Sequence, residues 1–182
     1  MHIWGHLKTI NKHRFLVMKE CFQVGLIRQG LTHDLSKYSF TEFCEGAKYY
    51  LGNKSPNVAE REARGFSLAW MHHKGRNKHH FEYWTDLKPG TRVYGPVPMP
   101  TNYLVEMCMD RIAACKTYHG KDYTPADPLD YLNHAHDTPL MHPETMEKLV
   151  YLLEMLRDRG EKETFRYIRE HVLRGESFPP KP

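Results

Sequence analysis

The sequence lacks the segments that would place it in or across a membrane. No apolar stretch approaches the roughly 18 residues that a membrane-spanning helix needs, and residues 1–6 (MHIWGH) lack the basic start and apolar run of a signal peptide. Cysteine is scarce and shows no Cys-x-x-Cys spacing, and three of the four cysteines lie in apolar helical stripes, as reduced core residues do. We therefore expect a soluble, cytoplasmic protein.

A large excess of charge of one sign is also absent. The formal net charge is only +4, and acidic and basic residues are interspersed along the 182 residues. This excess is too small and too dispersed to argue for nucleic acid as a partner. It suits small anionic molecules, and an ordinary solvated surface is the alternative. Hydrophobic residues at 40% and aromatic residues at 12% supply enough apolar area for one folded domain.

Strand-like alternation is weak and no internal repeat is present, so helices dominate the prediction. A first helix is predicted over 9–29, with Gly30 as its C-cap. Its inward stripe consists of His13, Val17, Cys21 and Val24.

Helix-capping residues and helix-breaking proline and glycine residues predict the later elements. Ser39 and Glu42 match a capping box that starts a helix ending near Gly52, and Ser55-Pro56 starts another that continues towards Trp70. Further helices are predicted over 101–119, 127–134, 143–159 and 165–175, with a loop or irregular hairpin over 86–100 and a loop over 137–143. The prediction is an all-α, single-domain helical bundle over 1–176 with a frayed tail over 177–182. The last two helices are expected to serve packing or contacts in a homo-oligomer.

The stretch 30–38 (GLTHDLSKY) carries the first candidate site residues. At an irregular helix end, the side chains of His33 and Asp34 can converge on one cation, such as Zn, Mn, Fe, Co or Ni. His13 points inward from the first helix, either as a hydrogen-bonded core histidine or as a metal ligand, and Asp110 lies on the inward stripe of the helix over 101–119. A buried carboxylate needs a cation or strong donors, so Asp110 is either a metal ligand or the partner of an arginine.

A second unusual stretch lies between Trp70 and Trp84, where four histidines are interleaved with Lys74, Arg76, Asn77 and Lys78. The histidines are His72, His73, His79 and His80. Packing so many potentially cationic groups together is costly unless a metal or an anion offsets the repulsion. A site for both a metal and a phosphate would use these residue types, and a polar loop with incidental imidazoles is the alternative.

The order of these residues resembles the HD-domain superfamily, whose metal shell is built from a His, a His-Asp doublet and a later Asp on a helical bundle. Binuclear members insert two further histidines between the doublet and the last aspartate. Over nearly its full length, the chain also resembles a bacterial and phage family with no assigned activity. The stretches 30–38, 69–84 (AWMHHKGRNKHHFEYW) and 106–114 (EMCMDRIAA) carry this second resemblance.

The HD-domain resemblance implies one or two divalent transition metals, with Fe, Mn, Co, Ni and Zn as candidates. The first would be held by His13, His33, Asp34 and Asp110, and Asp34 would bridge to a second held by His73 and His80 or His79.

The same resemblance implies a metal-activated water that attacks phosphorus. Lys37, Lys74 and Arg76 would neutralise the phosphoryl oxygens. Asn77 would contact the substrate, and Trp70, Tyr83 or Trp84 would stack on a base. The general acid is open between Glu42, Glu82 and an unliganded histidine.

Three functions follow as hypotheses. The first is a metal-dependent phosphohydrolase or phosphodiesterase acting on a nucleotide or another small phosphate ester. The second is a di-iron oxygenase, since some HD-fold proteins use the same His/Asp ligands to activate oxygen. The third is a non-catalytic module that binds a metal or a nucleotide. All three predict that His33→Ala loses the metal.

Overall fold

The computed structural model describes residues 2–134, 140–176 and 178 and confirms the all-α prediction, with 71% helix. The helices are α1 (Ile3–Val24), α2 (Ile27–Thr32), α3 (Phe40–Lys48), α4 (Pro56–Arg64), α5 (Leu68–Lys74), α6 (Thr101–His119), α7 (Asp127–His134) and α8 (Pro143–Glu170). The segment predicted as a loop or hairpin contains two short antiparallel strands, β1 (Thr85–Leu87) and β2 (Tyr94–Pro96). Within the described part of the chain, no helix has the length and apolar character needed to span a bilayer.

The hydrophobic core lies where α1, α6 and α8 meet. Val17 of α1, Ile112 of α6 and Leu153 of α8 are fully buried there, and each such side chain stabilises the fold by about 2 kcal/mol. Helix α3 joins this core to α4 and α5, while α7 packs on α6 and α8. All four cysteines are free thiols, as expected.

The predicted end of the first helix is wrong. The helix ends at Val24, because Gly25 adopts the left-handed conformation (φ 92°) and its N–H bonds back to the last turn. Gly30 is not the cap but lies inside α2, where a Cβ atom would be 3.0 Å from the Cβ of Cys21 and 3.1 Å from the carbonyl oxygen of Met18. Its missing side chain therefore allows α2 to lie close to α1.

The helix predicted from Ser55-Pro56 towards Trp70 is also interrupted. Helix α4 ends at Arg64, because the following Gly65 adopts the left-handed conformation (φ 85°), and Ser67 starts α5 by accepting a hydrogen bond from the Trp70 N–H at 2.9 Å. The buried Glu60 carboxylate accepts bonds from the Ser67 hydroxyl (2.6 Å) and the Leu68 N–H (2.9 Å). This anchor fixes the direction of α5, the helix that carries His72 and His73.

The later helices agree with the prediction. Helices α6 and α7 have the expected bounds. Helix α8 covers the segment predicted over 143–159 and, beyond the non-helical Gly160 (φ 74°), the segment predicted over 165–175 as far as Glu170, after which Val172–Arg174 forms a 3-10 turn. Residues 137–139 of the predicted loop over 137–143 lie outside the described residues, as does the predicted tail except Phe178, whose ring packs on Tyr151.

Candidate metal centre

The centre is built around a sharp turn at His33 and Asp34, directly after α2. Among the described residues, Asp34 is the one non-glycine residue with positive φ (55°), a conformation that costs about 1 kcal/mol or more. The guanidinium of Arg14 on α1 holds this turn by donating to the carbonyl oxygens of His33 (2.8 Å) and Leu31 (3.3 Å). The turn buries both side chains, leaving His33 2% and Asp34 1% exposed.

A first group of possible ligands joins α1, this turn and α6. The His13 Nε2 lies 2.9 Å from the Asp110 Oδ1, and the His33 Nε2 lies 3.5 Å from the same oxygen and 3.4 Å from the Asp34 Oδ2. The ligand atoms of His13, His33, Asp34 and Asp110 all lie within 4.8 Å of one another. These are the four residues expected to hold a first metal.

A second group lies on the other side of Asp34. The His73 Nε2 and the His79 Nε2 lie 3.2 Å and 3.4 Å from the Asp34 Oδ1, and His80 completes a set of four with the same mutual spacing. The chain leaves α5 in tight turns rather than continuing the helix, so the His79 and His80 rings lie side by side with centroids 4.2 Å apart. Both histidines therefore belong to the group, whereas sequence spacing left the choice between them open.

Several buried atoms at the centre lie near other polar atoms but make no hydrogen bond of acceptable geometry, and this supports a cation there. Leaving a buried polar atom unpaired costs about 1–3 kcal/mol, so a set of them around one point calls for a shared partner. Imidazole nitrogen with carboxylate oxygen is a donor set that suits transition metals. The atoms without such a bond are the Nε2 of His13, His33, His79 and His80 and the Oδ1 of Asp34.

Two further carboxylates contact the Nδ1 atoms of the candidate ligand histidines, on the ring edge away from the ligand groups. The Glu106 Oε1 lies 3.0 Å from the His33 Nδ1 and 3.1 Å from the His79 Nδ1, and the Glu42 Oε2 lies 2.7 Å from the His73 Nδ1. Such carboxylate–histidine pairs orient a ring and leave its other nitrogen to bind metal. Sequence reasoning missed Glu106, although its position four residues before Asp110 places both on one face of α6.

The chain belongs to the family of unknown function DUF5662. The family model matches residues 2–158, a span that contains both ligand groups and both supporting carboxylates. No curated protein and no solved structure matches the chain. The nearly full-length resemblance to a family without assigned activity is confirmed, and the HD-domain resemblance stays a prediction.

In this DUF5662 chain, Glu42 takes part in the predicted capping box through its N–H, while its carboxylate contacts two histidines. The Ser39 hydroxyl accepts a bond from the Glu42 N–H at 3.4 Å, as in a capping box. The Glu42 carboxylate, however, contacts the Nδ1 of both His72 (2.6 Å) and His73 (2.7 Å). His72 therefore shares a supporting carboxylate with a candidate ligand but belongs to neither ligand group.

The electrostatics of the centre favour a cation. Burial alone would raise the pKa of Asp34, but the charges of His33 and Lys37 hold that pKa well below its usual range. Burial, together with the neighbouring His79 and His73, lowers the pKa of His80 well below its ordinary value. Asp34 thus stays anionic and His80 stays neutral, which are the forms that bind metal. Against the effect of burial, the surrounding carboxylates raise the pKa of His33 well above its ordinary value, so a metal bound at its Nε2 would take the place of a proton.

Of the residues expected to bind phosphate, Lys37 contacts the centre directly, and Lys74 and Arg76 follow the candidate ligand His73 along the chain. The Lys37 Nζ is 2.6 Å from the Asp34 Oδ2, and its side chain is 29% exposed, so it links the buried centre to solvent. Lys74 is half-buried at the end of α5, and the exposed Arg76 donates to the His72 carbonyl oxygen at 3.3 Å.

The residues expected to contact a base are dispersed. Trp70 packs edge-on against the His80 ring at 4.7 Å, while Tyr83 and Trp84 pack on each other at 5.3 Å. Asn77 is buried, and its amide donates to the Ser36 hydroxyl and the His73 carbonyl oxygen, both at 2.8 Å. In the structure Asn77 therefore supports His73. Glu82 lies half-buried in the turn Phe81–Tyr83.

Proposed function

We propose that this chain is a metal-dependent phosphohydrolase or phosphodiesterase that acts on a nucleotide or another small phosphate ester. The supporting observation is that Asp34 turns its Oδ2 towards one group of ligands and its Oδ1 towards another. This arrangement suits two adjacent ions that share one carboxylate. Two such ions, when bound, activate water and neutralise charge on a phosphoryl group during in-line displacement.

The order of the ligands along the chain supports the same chemistry. It matches the HD-domain pattern of His13, the doublet His33-Asp34 and Asp110, with further histidines between the doublet and the last aspartate. That pattern is associated with phosphate-ester hydrolysis in the superfamily that the chain resembles. The centre is also deeply buried, which strengthens charge interactions with a bound phosphate.

Lys37 is the residue best placed to hold the phosphoryl group. Although burial disfavours its charged form, Asp34 and Asp110 raise the pKa of Lys37, so the side chain stays cationic. Its ammonium is a point charge suited to a phosphoryl oxygen. We assign Lys74 and Arg76, at the end of α5 and just beyond it, to the remaining phosphoryl charge, and Trp70 to an aromatic face for a base.

The test is a phosphoester panel on protein reconstituted with Mn or Co, using a chromogenic phosphodiester and nucleoside monophosphates. We expect hydrolysis that depends on the metal and that disappears in His33→Ala together with the metal of the first ligand group. Lys37→Met should keep the metal and lose about 100-fold or more in kcat/KM, whereas the exposed Lys8→Met should behave like the wild type.

Two results would contradict the proposal. One is a fully metal-loaded protein that hydrolyses no phosphoester in the panel. The other is a protein that retains about two iron atoms per chain and consumes oxygen without phosphatase activity, which would favour the di-iron oxygenase.

A further inference from the structure

One carboxylate on α6 touches both halves of the centre. Glu106 is 5% exposed, and its Oε1 faces the Nδ1 atoms of His33 (3.0 Å) and His79 (3.1 Å). These two histidines belong to different ligand groups. From this geometry, and on the two-metal centre of the proposed function, we infer that Glu106 is a positioning residue shared by both metal sites.

The imidazole rings of His33 and His79 both lie between the carboxylates of Asp34 and Glu106. The Nε2 atoms of His33 and His79 each lie 3.4 Å from Asp34, the first from Oδ2 and the second from Oδ1. On their other edges, both rings meet the same oxygen of Glu106. Glu106 therefore sets the direction in which one ligand of each site presents its Nε2.

The same three residues also lie close enough to hold an ion of their own through their Nδ1 and Oε1 atoms. A neutral imidazole carries one hydrogen, and a ring that binds metal through Nε2 keeps that hydrogen on Nδ1. A third ion would require His33 and His79 to lose a second proton. With metal at Nε2, the Nδ1–H groups of His33 and His79 would instead donate to Glu106, which is the usual role of a carboxylate behind a metal-binding histidine.

Glu42 offers a matched comparison. It is another buried glutamate, but the one candidate ligand that it contacts is His73, which belongs to the second group alone. Replacing either glutamate by glutamine removes one charge and keeps the shape of the side chain. The two variants differ in how many sites they should affect.

The experiment first leaves one complete ligand group at a time and then replaces the glutamates, Glu106 and Glu42, that contact the ligand histidines. His80→Ala leaves the group of His13, His33, Asp34 and Asp110, and His13→Ala leaves the group of Asp34, His73, His79 and His80. Co²⁺ is titrated into both backgrounds with and without Glu106→Gln or Glu42→Gln, and binding is followed by visible absorption and calorimetry.

We expect Glu106→Gln to weaken Co²⁺ binding about 10- to 100-fold in both backgrounds. Glu42→Gln should weaken it only in the His13→Ala background. Nitrogen NMR of the Zn²⁺-loaded protein should show His33 and His79 protonated on Nδ1, with these signals altered by Glu106→Gln and unchanged by Glu42→Gln.

Three results would overturn the inference. They are unchanged Co²⁺ affinity of Glu106→Gln in either background, equal effects of the two glutamine variants in both backgrounds, and loss of Co²⁺ that simply follows a lower thermal stability of the metal-free variant. None of these depends on catalysis. A protein that binds two metals but hydrolyses no phosphoester would contradict the proposed function. The Co²⁺ titrations would still decide whether Glu106 positions ligands of both sites.

Discussion

His33 and His79 lie ring against ring, with centroids 4.3 Å apart and planes inclined by 34°. The first residue follows α2, and the second lies in the turns after α5. Each ring faces Asp34 on one edge and Glu106 on the other. The centre is therefore assembled from parts of the chain that meet only in the folded protein, so changes in their supports should appear in metal binding.

Arg14→Lys tests the support of the sharp turn. Arg14 donates to the carbonyl oxygens of His33 and Leu31, and a lysine ammonium cannot reproduce this forked contact. We expect the variant to lower the free energy of unfolding by about 1–2 kcal/mol and to weaken binding of the first metal. The exposed Arg28→Lys on α2 serves as the control in urea unfolding and Co²⁺ titration. An Arg14→Lys protein with unchanged metal affinity would show that the His33-Asp34 turn keeps its conformation without the Arg14 hydrogen bonds.

Asn77→Ala separates a supporting role from a substrate-binding one. The Asn77 amide donates to Ser36 and to the His73 carbonyl oxygen, so its loss should disturb the second metal site. We expect about tenfold weaker binding of Co²⁺ in the His13→Ala background and none of this effect in the His80→Ala background. If metal binding is intact and only the KM for a phosphoester rises, the substrate-binding role predicted from the sequence would be correct.

Glu20→Gln tests a buried carboxyl group away from the ligands. Burial raises the pKa of Glu20 from 4.5 to about 7, although Lys116 on α6 opposes the shift and the charges of Glu161 and Asp110 add to it. Between these values the folded chain holds a proton that the unfolded chain has released. This group therefore favours folding below about pH 4.5, and that contribution is lost as the pH rises towards 7.

Glutamine at position 20 does not titrate, so the variant should lose less stability than the wild type between pH 5 and pH 7.5. Urea unfolding of both metal-free proteins at several pH values measures this difference. Parallel pH profiles for the two proteins would rule out a raised pKa.

Gly30→Ala tests the close approach of α2 to α1. The new Cβ atom would meet the Cβ of Cys21 at 3.0 Å, so we expect a loss of about 1–3 kcal/mol in the free energy of unfolding. Gly75→Ala is the matched control, because Gly75 has helical backbone angles and its Cβ would lie at an ordinary 3.4 Å from the nearest atom. That variant should be as stable as the wild type or slightly more stable. Equal thermal midpoints for the two variants would contradict the tight contact.

Helical periodicity predicted much of the centre, because it fixes which side chains point inward. The stripe that contains His13 and the face of α6 that contains Asp110 follow from spacing alone, and the structure brings both residues to the His33-Asp34 turn. The same spacing could not show that His79 and His80 both join the second group, since that depends on non-helical turns after α5.

The supporting carboxylates could not be predicted for a similar reason. Glu106 contacts two histidine rings that only tertiary packing brings to it. Glu42 matches a local capping pattern, and that pattern gives no sign of its contact with His73. The first helix ends before Gly25, which adopts the left-handed cap conformation. Gly30 instead lies at the close contact between α1 and α2, which the sequence alone does not show. Local pattern alone does not distinguish two glycines that both suit a C-cap.

Metal content per chain is the most direct test of a two-metal centre bridged by Asp34. Elemental analysis should use protein purified without a metal-affinity tag, before and after reconstitution with Mn or Co. We predict about two equivalents in the wild type, about one in His13→Ala and in His80→Ala, and less than one in Asp34→Ala. A wild type without stoichiometric metal after reconstitution, or an Asp34→Ala protein that keeps two equivalents, would contradict the bridged centre.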